Sequence, residues 1–173
     1  MSEIDELRAE VRRLSDKEAI RDLFTTFAAG MDAQDWDVIE SVWADDAVFD
    51  HSQFRWDGMN EDVWKGKAHI MRETKAGVSR HFTSHHIMTN QRVTLDGDKA
   101  KAVVYLHSVH LDDPQKPAEH GDHGAWYVSE LSRTPKGWRI QYLMHFPIWF
   151  GGIQVPSGPT TAEAVRRMRE HLK

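Results

Sequence analysis

The residue whose setting first suggests chemistry is Asp32. Ile20, Phe24, Ala28 and Asp32 recur four residues apart, so a carboxylate extends a ridge that is otherwise apolar, and a helix over this stretch should aim it inward. A buried carboxylate without partners is costly or takes up a proton, so a histidine or arginine should approach it. The competing reading is that the helix frays before Asp32, which then serves as a solvated cap for the Ala33-Gln34-Asp35 turn. Histidines are available. His81, His85 and His86 cluster where the first long strand should begin, and strand alternation puts His86, Met88 and Asn90 on one face with His85, Ile87 and Thr89 on the other. A histidine oriented by a carboxylate is suited to remove a proton as a general base.

Other chemistries lack their residues. The chain has no cysteine, which removes disulfides, thiolate metal sites and a cysteine nucleophile. Ser129 has no Gly-x-Ser-x-Gly context, and no glycine-rich phosphate loop is present. His107 and His110 fall on opposite faces of one strand, while His120 and His123 sit in or just after a loop. His-x-x-His on a strand splits the two rings across the sheet and third and fourth ligands are lacking, so neither a metal nor an organic cofactor is expected.

The elements that must position Asp32 and His86 follow from periodicity. Residues 4–31 read as helical, with a break expected at Ser15-Asp16, where Ser15 can cap a second helix. Ile20, Leu23, Phe24, Phe27, Ala28 and Met31 form its core stripe. A short helix is expected at 36–43, capped by Asp35, then a strand at 47–50. Between Gln53 and Lys65 the pattern is lost, and Asp57-Gly58 marks a turn at a pocket rim. A helix is expected at 66–76. Strands follow at 82–95 and 100–111 around Asp96-Gly97, and at 123–133 and 137–149 around Thr134-Pro135-Lys136-Gly137. Gly151 to Pro159 is a connector, and 160–172 reads as a final amphipathic helix. Helices first and a strand meander afterwards give an α+β fold with helices on one face of the sheet.

With 173 residues, 40% of them hydrophobic and seven tryptophans, the chain is read as one domain, 1–173, that buries a substantial core. Lysine and arginine number 22 against 27 acidic residues, a net charge of −5, and no basic stripe invites nucleic acid. The start is acidic and no run approaches a membrane span, so a cytoplasmic protein without membrane partners is expected. Large apolar side chains exceed what a core of this size needs. Phe27, Trp43, Phe49, Trp56, Met88, Trp126, Met144 and Phe146 are the candidates to line a pocket, which favours a hydrophobic aromatic or polycyclic small molecule over a sugar or phosphate.

Leu14-Ser15-Asp16-Lys17-Glu18-Ala19-Ile20-Arg21-Asp22-Leu23, Gly30-Met31-Asp32, Asp35-Trp36, Val42 through Phe49, His86-Ile87-Met88-Thr89-Asn90 and Gly137-Trp138-Arg139-Ile140 carry a wider resemblance. On these residues the chain resembles the SnoaL-like branch of the nuclear transport factor 2-like superfamily, the branch of scytalone dehydratase, hexachlorocyclohexane dehydrochlorinase and bile acid 7α-dehydratase. The resemblance implies a cone-shaped α+β barrel, a curved mixed or antiparallel sheet closed over one pocket by N-terminal helices. It also implies a cofactor-free acid–base lyase in which Asp32 orients His86 to take a proton before water or another group leaves.

The chain departs from that pattern in two places. Phe27 replaces a tyrosine that some dehydratases carry one turn before the aspartate, and no arginine appears around Phe146-Pro147-Ile148. The second acid or carbonyl-polarising group is therefore sought among His107, His110, Tyr105 and His51. Loss of water is the first reading, retro-aldol release of a small aldehyde a close variant, and isomerisation in the same pocket a further one. The alternatives are a non-catalytic small subunit of a ring-hydroxylating dioxygenase, or a ligand-binding protein without turnover. A homo-oligomer is expected, a trimer by resemblance or else a dimer. Its physical motive is the apolar strand positions Val103, Tyr105, Val109, Trp126, Val128, Ile148 and Trp149, which give both sheet faces something to bury.

Overall fold

Ser2 opens the first helix, α1 (Glu3–Ala33), through a reciprocal cap: its hydroxyl accepts the Asp5 backbone N–H while the Asp5 carboxylate accepts from the Ser2 N–H. The computed structural model describes residues 2–53 and 61–152. Trp56, the Asp57-Gly58 turn, the connector beyond Gly152 and the helix expected over 160–172 lie outside the described residues. The break expected at Ser15-Asp16 does not occur, and α1 runs unbroken for 31 residues. Ser2 supplies the cap that Ser15 was expected to give. Asp16 turns instead to the sheet, accepting hydrogen bonds from Arg133 and from the Trp138 indole. The first half of α1 leaves Ile4, Leu7, Val11 and Leu14 between 52% and 65% exposed. From Ile20 onward the expected stripe is buried.

Gln34 ends α1 in the left-handed region (φ 51°), and its N–H returns to the Gly30 and Met31 carbonyls. Gly30 is needed here because a Cβ would lie 2.9 Å from Ile39 Cγ1 and 3.0 Å from Val38 Cγ1. Its absence lets α2 (Trp36–Ser41) pack against the end of α1. α2 is shorter than expected, since Trp43 already belongs to strand β1 (Trp43–Asp50). A three-residue strand, β2 (Val63–Lys65), was not legible in the sequence; α3 (Lys67–Val78) follows it.

Four long strands then form a meander: β3 (Thr83–Asp96), β4 (Lys99–Leu111), β5 (His120–Thr134) and β6 (Gly137–Gly152). The sheet order is β2-β1-β6-β5-β4-β3, antiparallel except for the parallel pair β1 and β6. This is the expected α+β architecture with a mixed, unclosed sheet. α1 lies across its inner face and packs chiefly on β3. The main core fills the space between them, with Phe27, Trp43, Phe49, Trp64 and Tyr127 ring against ring at centroid separations of 5.3–6.3 Å.

β3 holds the feature that phases the site. Its register against β4 shifts by one residue between Thr89 and Arg92, where Asn90 adopts φ 50°. Ser84, His86 and Met88 face inward before the irregularity, and Val93 and Leu95 after it. On the other face, Val103, Trp126, Val128 and Phe146 form a second buried apolar cluster, while Tyr105 and Trp149 stay exposed. The expected apolar outer face is thus buried in its middle. No described helix is long and apolar enough to cross a membrane.

Candidate active site

Because α1 continues through Asp32, the carboxylate is carried by the helix and aimed at the sheet, not left as a solvated cap. Asp32 Oδ1 lies 2.7 Å from His86 Nδ1, and both carboxylate oxygens lie 3.0 Å from the His86 backbone nitrogen. The His86 side chain is 4% exposed and that of Asp32 26%. A carboxylate only accepts, so the proton of a neutral His86 sits on Nδ1 and the basic lone pair is on Nε2. Burial acts to raise the Asp32 carboxyl. The hydrogen bonds from the His86 ring and backbone, with the attraction of His86 and His85, more than offset it and hold Asp32 below the usual carboxylate range.

The row continues across the sheet. Ser108 stands directly opposite His86 in the β3–β4 pairing, and His123 opposite Ser108 in the β4–β5 pairing. Ser108 Oγ is 2.9 Å from His123 Nδ1, and His123 Nε2 is 3.1 Å from His145 Nε2. His51, packed between Phe49 and Trp64, lies 5.7 Å from His145 ring to ring. His110 sits 5.4 Å from His86 and 4.5 Å from His81, ring to ring, and the His81 Nδ1 is itself 2.6 Å from Asp112 Oδ1.

Burial dominates the electrostatics of this row. It pushes His51 down to about 3, against a weaker pull from Asp50. His110 is driven to about 2 by burial and then by repulsion from His86, His81, His123 and Arg80. His123 falls to about 4 by burial and then by the neighbouring His86 and His107, and His145 lies far below its ordinary value, chiefly through burial. These four imidazoles are neutral at physiological pH. They can donate and accept hydrogen bonds but bring no positive charge.

The expected residues divide between the two faces. Asp32, His86, His51, His110, Phe27, Trp43, Phe49 and Met88 belong to the inner face or the main core. Tyr105 and His107 do not: strand alternation sends these odd positions of β4 outward, where Tyr105 contacts Trp126 and His107 lies 3.6 Å from Asp122 and beside Trp149. Trp126, Met144 and Phe146 are likewise corrected to the outer cluster, since the inward positions of β5 and β6 are taken by Tyr127 and His145. Ser108, His123 and His145 were missed as site residues. The sequence puts His123 just after a loop, at the first residue of the strand expected over 123–133, whereas β5 already begins at His120.

The SnoaL-like domain profile matches residues 12–144. An uncharacterized protein of Mycobacterium tuberculosis is 26% identical over 140 residues, covering 79% of this chain and 88% of its own. Among solved structures, a candidate aromatic ring hydroxylase from Novosphingobium aromaticivorans is 27% identical with a TM-score of 0.66, over 87% of this chain and 97% of that one. The hexachlorocyclohexane dehydrochlorinase LinA-type3 from Novosphingobium barchaimii, at 22% identity and a TM-score of 0.68 over 86% and 94% of the two chains, shares the fold.

Proposed function

The chain belongs to the SnoaL-like domain family, and on that premise we propose that it is a cofactor-independent acid–base lyase acting on an aromatic or polycyclic small molecule. The observation that carries the reading is the 2.7 Å contact between Asp32 and His86, reinforced by the two backbone contacts that fix the carboxylate. Nδ1 is held, so Nε2 is the nitrogen left to take a proton from a carbon acid. Asp32 then stabilises the imidazolium, and the same imidazolium returns its proton to the departing oxygen as water leaves. Phe27, Trp43, Phe49 and Tyr127 pack ring against ring on the same side of the sheet, an apolar environment in keeping with an apolar substrate. A dehydrochlorinase among the structural neighbours is in keeping with elimination chemistry on this fold.

Incubation with a panel of β-hydroxy aryl ketones, read by mass spectrometry, tests the proposal. Wild-type protein should release a product lighter by one water, and His86→Gln should not. Release of an aldehyde fragment instead would assign the retro-aldol variant, and an isomer of unchanged mass the isomerase variant.

A second reading has one observation in its favour, the resemblance to a candidate aromatic ring hydroxylase. In that reading the chain is the non-catalytic small subunit of a ring-hydroxylating dioxygenase and the Asp32–His86 pair has no chemical task. Co-purification with a large iron–sulfur partner, with no turnover by the isolated chain, would decide for it.

A further inference from the structure

We propose that the free first half of α1 is a docking surface for a second copy of this chain, the two helices pairing in parallel as a short coiled coil through Ile4, Leu7, Val11 and Leu14. This pairing owes nothing to the chemistry proposed for Asp32 and His86, and it lies apart from the outer face of the sheet.

Exposure and spacing mark the surface. Among the described residues eight large apolar side chains stay exposed, and four of them fall within residues 3–14. Single exposed apolar residues are ordinary, but a contiguous row of them marks an interaction site. Their spacing of three, four and three residues is the a and d pattern of two heptads, and every other residue of the stretch is charged except Ala9. At 3.6 residues per turn the row lies on roughly the opposite side of α1 from Ile20, Phe24, Phe27 and Met31, which are buried in the core. A partner helix laid along it would therefore not meet the chain's own sheet. Glu18 and Arg21 take the next a and d positions and form an ion pair with each other, so the apolar seam stops just before the core stripe begins.

Residue type then selects the partner and its direction. β-Branched Ile4 and Val11 at a, with Leu7 and Leu14 at d, favour two parallel strands. In register, Glu3 at g reaches the partner's Arg8 at e, an attraction made twice across the pair. The antiparallel arrangement would instead set Arg8 against the partner's Arg8 and Glu10 against the partner's Glu10. Lipid is a poorer match, because residues 3–14 carry four acidic and three basic side chains and lack the basic face that meets an anionic membrane. Two heptads alone make a marginal helix in water. Here the helix is already in place, since the Ser2 hydroxyl caps it and the residues from Ile20 onward anchor it. Ile4, Leu7 and Val11 precede the SnoaL-like domain match at residue 12, so most of the seam is an addition to the shared domain.

Because the chain has no cysteine, single cysteines report the pairing directly. Mild oxidation of Leu7→Cys and of Leu14→Cys should each give a covalent dimer at twice the 20.0 kDa chain on a non-reducing gel. Ala9→Cys, on the far side of the helix, should not. Failure of both d-position cysteines to cross-link, or equal cross-linking of Ala9→Cys, overturns the proposal. Cross-linking between Leu7→Cys and Val11→Cys, with neither linking to itself, would show antiparallel helices and overturn it as well.

Sedimentation velocity gives a second readout without a covalent bond. Wild-type protein should associate, and Leu7→Glu, which alters a side chain outside the chain's own core, should leave circular dichroism unchanged. Association should weaken by about 30-fold or more, as for loss of a buried anchor on each helix. Association of Leu7→Glu at wild-type strength contradicts the seam. Co-sedimentation of a monomeric wild type with phosphatidylcholine–phosphatidylserine vesicles, lost in Leu7→Glu, would assign the seam to lipid and overturn the pairing too.

Discussion

Replacing Asp32 by Asn isolates the charge from the shape. The amide can still offer one oxygen to His86 Nδ1–H, but its NH₂ group must then take the place of the second oxygen, which accepts from the His86 backbone N–H at 3.0 Å. A donor would meet a donor there, while the amide oxygen, standing in the place of Oδ1, keeps both the ring nitrogen at 2.7 Å and the backbone nitrogen at 3.0 Å. The larger loss falls in the transition state, where the imidazolium forms 2.7 Å from a group that no longer carries charge. Loss of an orienting carboxylate beside a catalytic histidine costs about 10²–10⁴ in rate, or roughly 3–5 kcal/mol of transition-state stabilisation. Asp32 is a quarter exposed, and solvent screening places this variant toward the lower end of that range. The assay is initial-rate elimination from a substrate found in the ketone panel, with circular dichroism to confirm that the fold is kept. If Asp32→Asn retained turnover within threefold of wild type while His86→Gln was inactive, the carboxylate would have no part in catalysis and the reasoning from geometry would fail.

Four further outcomes follow from the same structure. His51 is held neutral with its ionisation pushed down to about 3, so below the unfolded value near 6.5 the unfolded chain takes up a proton that the folded chain refuses. Folding stability should therefore fall as pH drops from about 6.5, by roughly 2 kcal/mol for this group at pH 5, and His51→Phe should flatten the decline of Tm with pH seen by calorimetry. Tyr105→Ala and His107→Ala alter outward positions of β4 and should leave kcat and KM unchanged; a tenfold loss in either would return that residue to the site. Exhaustive chelation should leave turnover intact, and loss that a divalent cation restores would contradict the cofactor-independent reading. Light scattering at micromolar concentration should give a multiple of the 20.0 kDa chain, and a monomer alone would count against a homo-oligomer.

Asp32 stood out in the sequence because a carboxylate on an apolar i+4 ridge is an anomaly that a partner or a frayed helix end must resolve; alternation set His85 and His86 on opposite faces without choosing between them, and the family resemblance selected His86. The fold class was legible for a similar reason, since long strands separated by clear turns declare themselves. The pairing partner of His86 was not. Counting back from the Asp96-Gly97 turn, where Asp96 pairs with Lys99, sets His86 opposite Val109; the one-residue shift near Asn90 moves it to Ser108. A bulge of this kind leaves no composition signal, yet it decides which β4 side chain stands beside the base. The same limit affected Trp126, Met144 and Phe146. Their apolar character was plain, but both faces of β5 and β6 are apolar, so alternation alone could not say which face was inner. β2 escaped notice because three residues are too few to show a period.

Deuterium at the carbon next to the carbonyl offers the most direct test of the central claim that His86, held by Asp32, is the base. Wild-type protein in H₂O should wash deuterium out of an α-deuterated aryl ketone, followed by NMR, and Asp32→Asn should slow the washout by about 10²-fold or more, with His86→Gln leaving none above the protein-free rate. Washout by His86→Gln at the wild-type rate would contradict the account, because the proton would then be removed by another group.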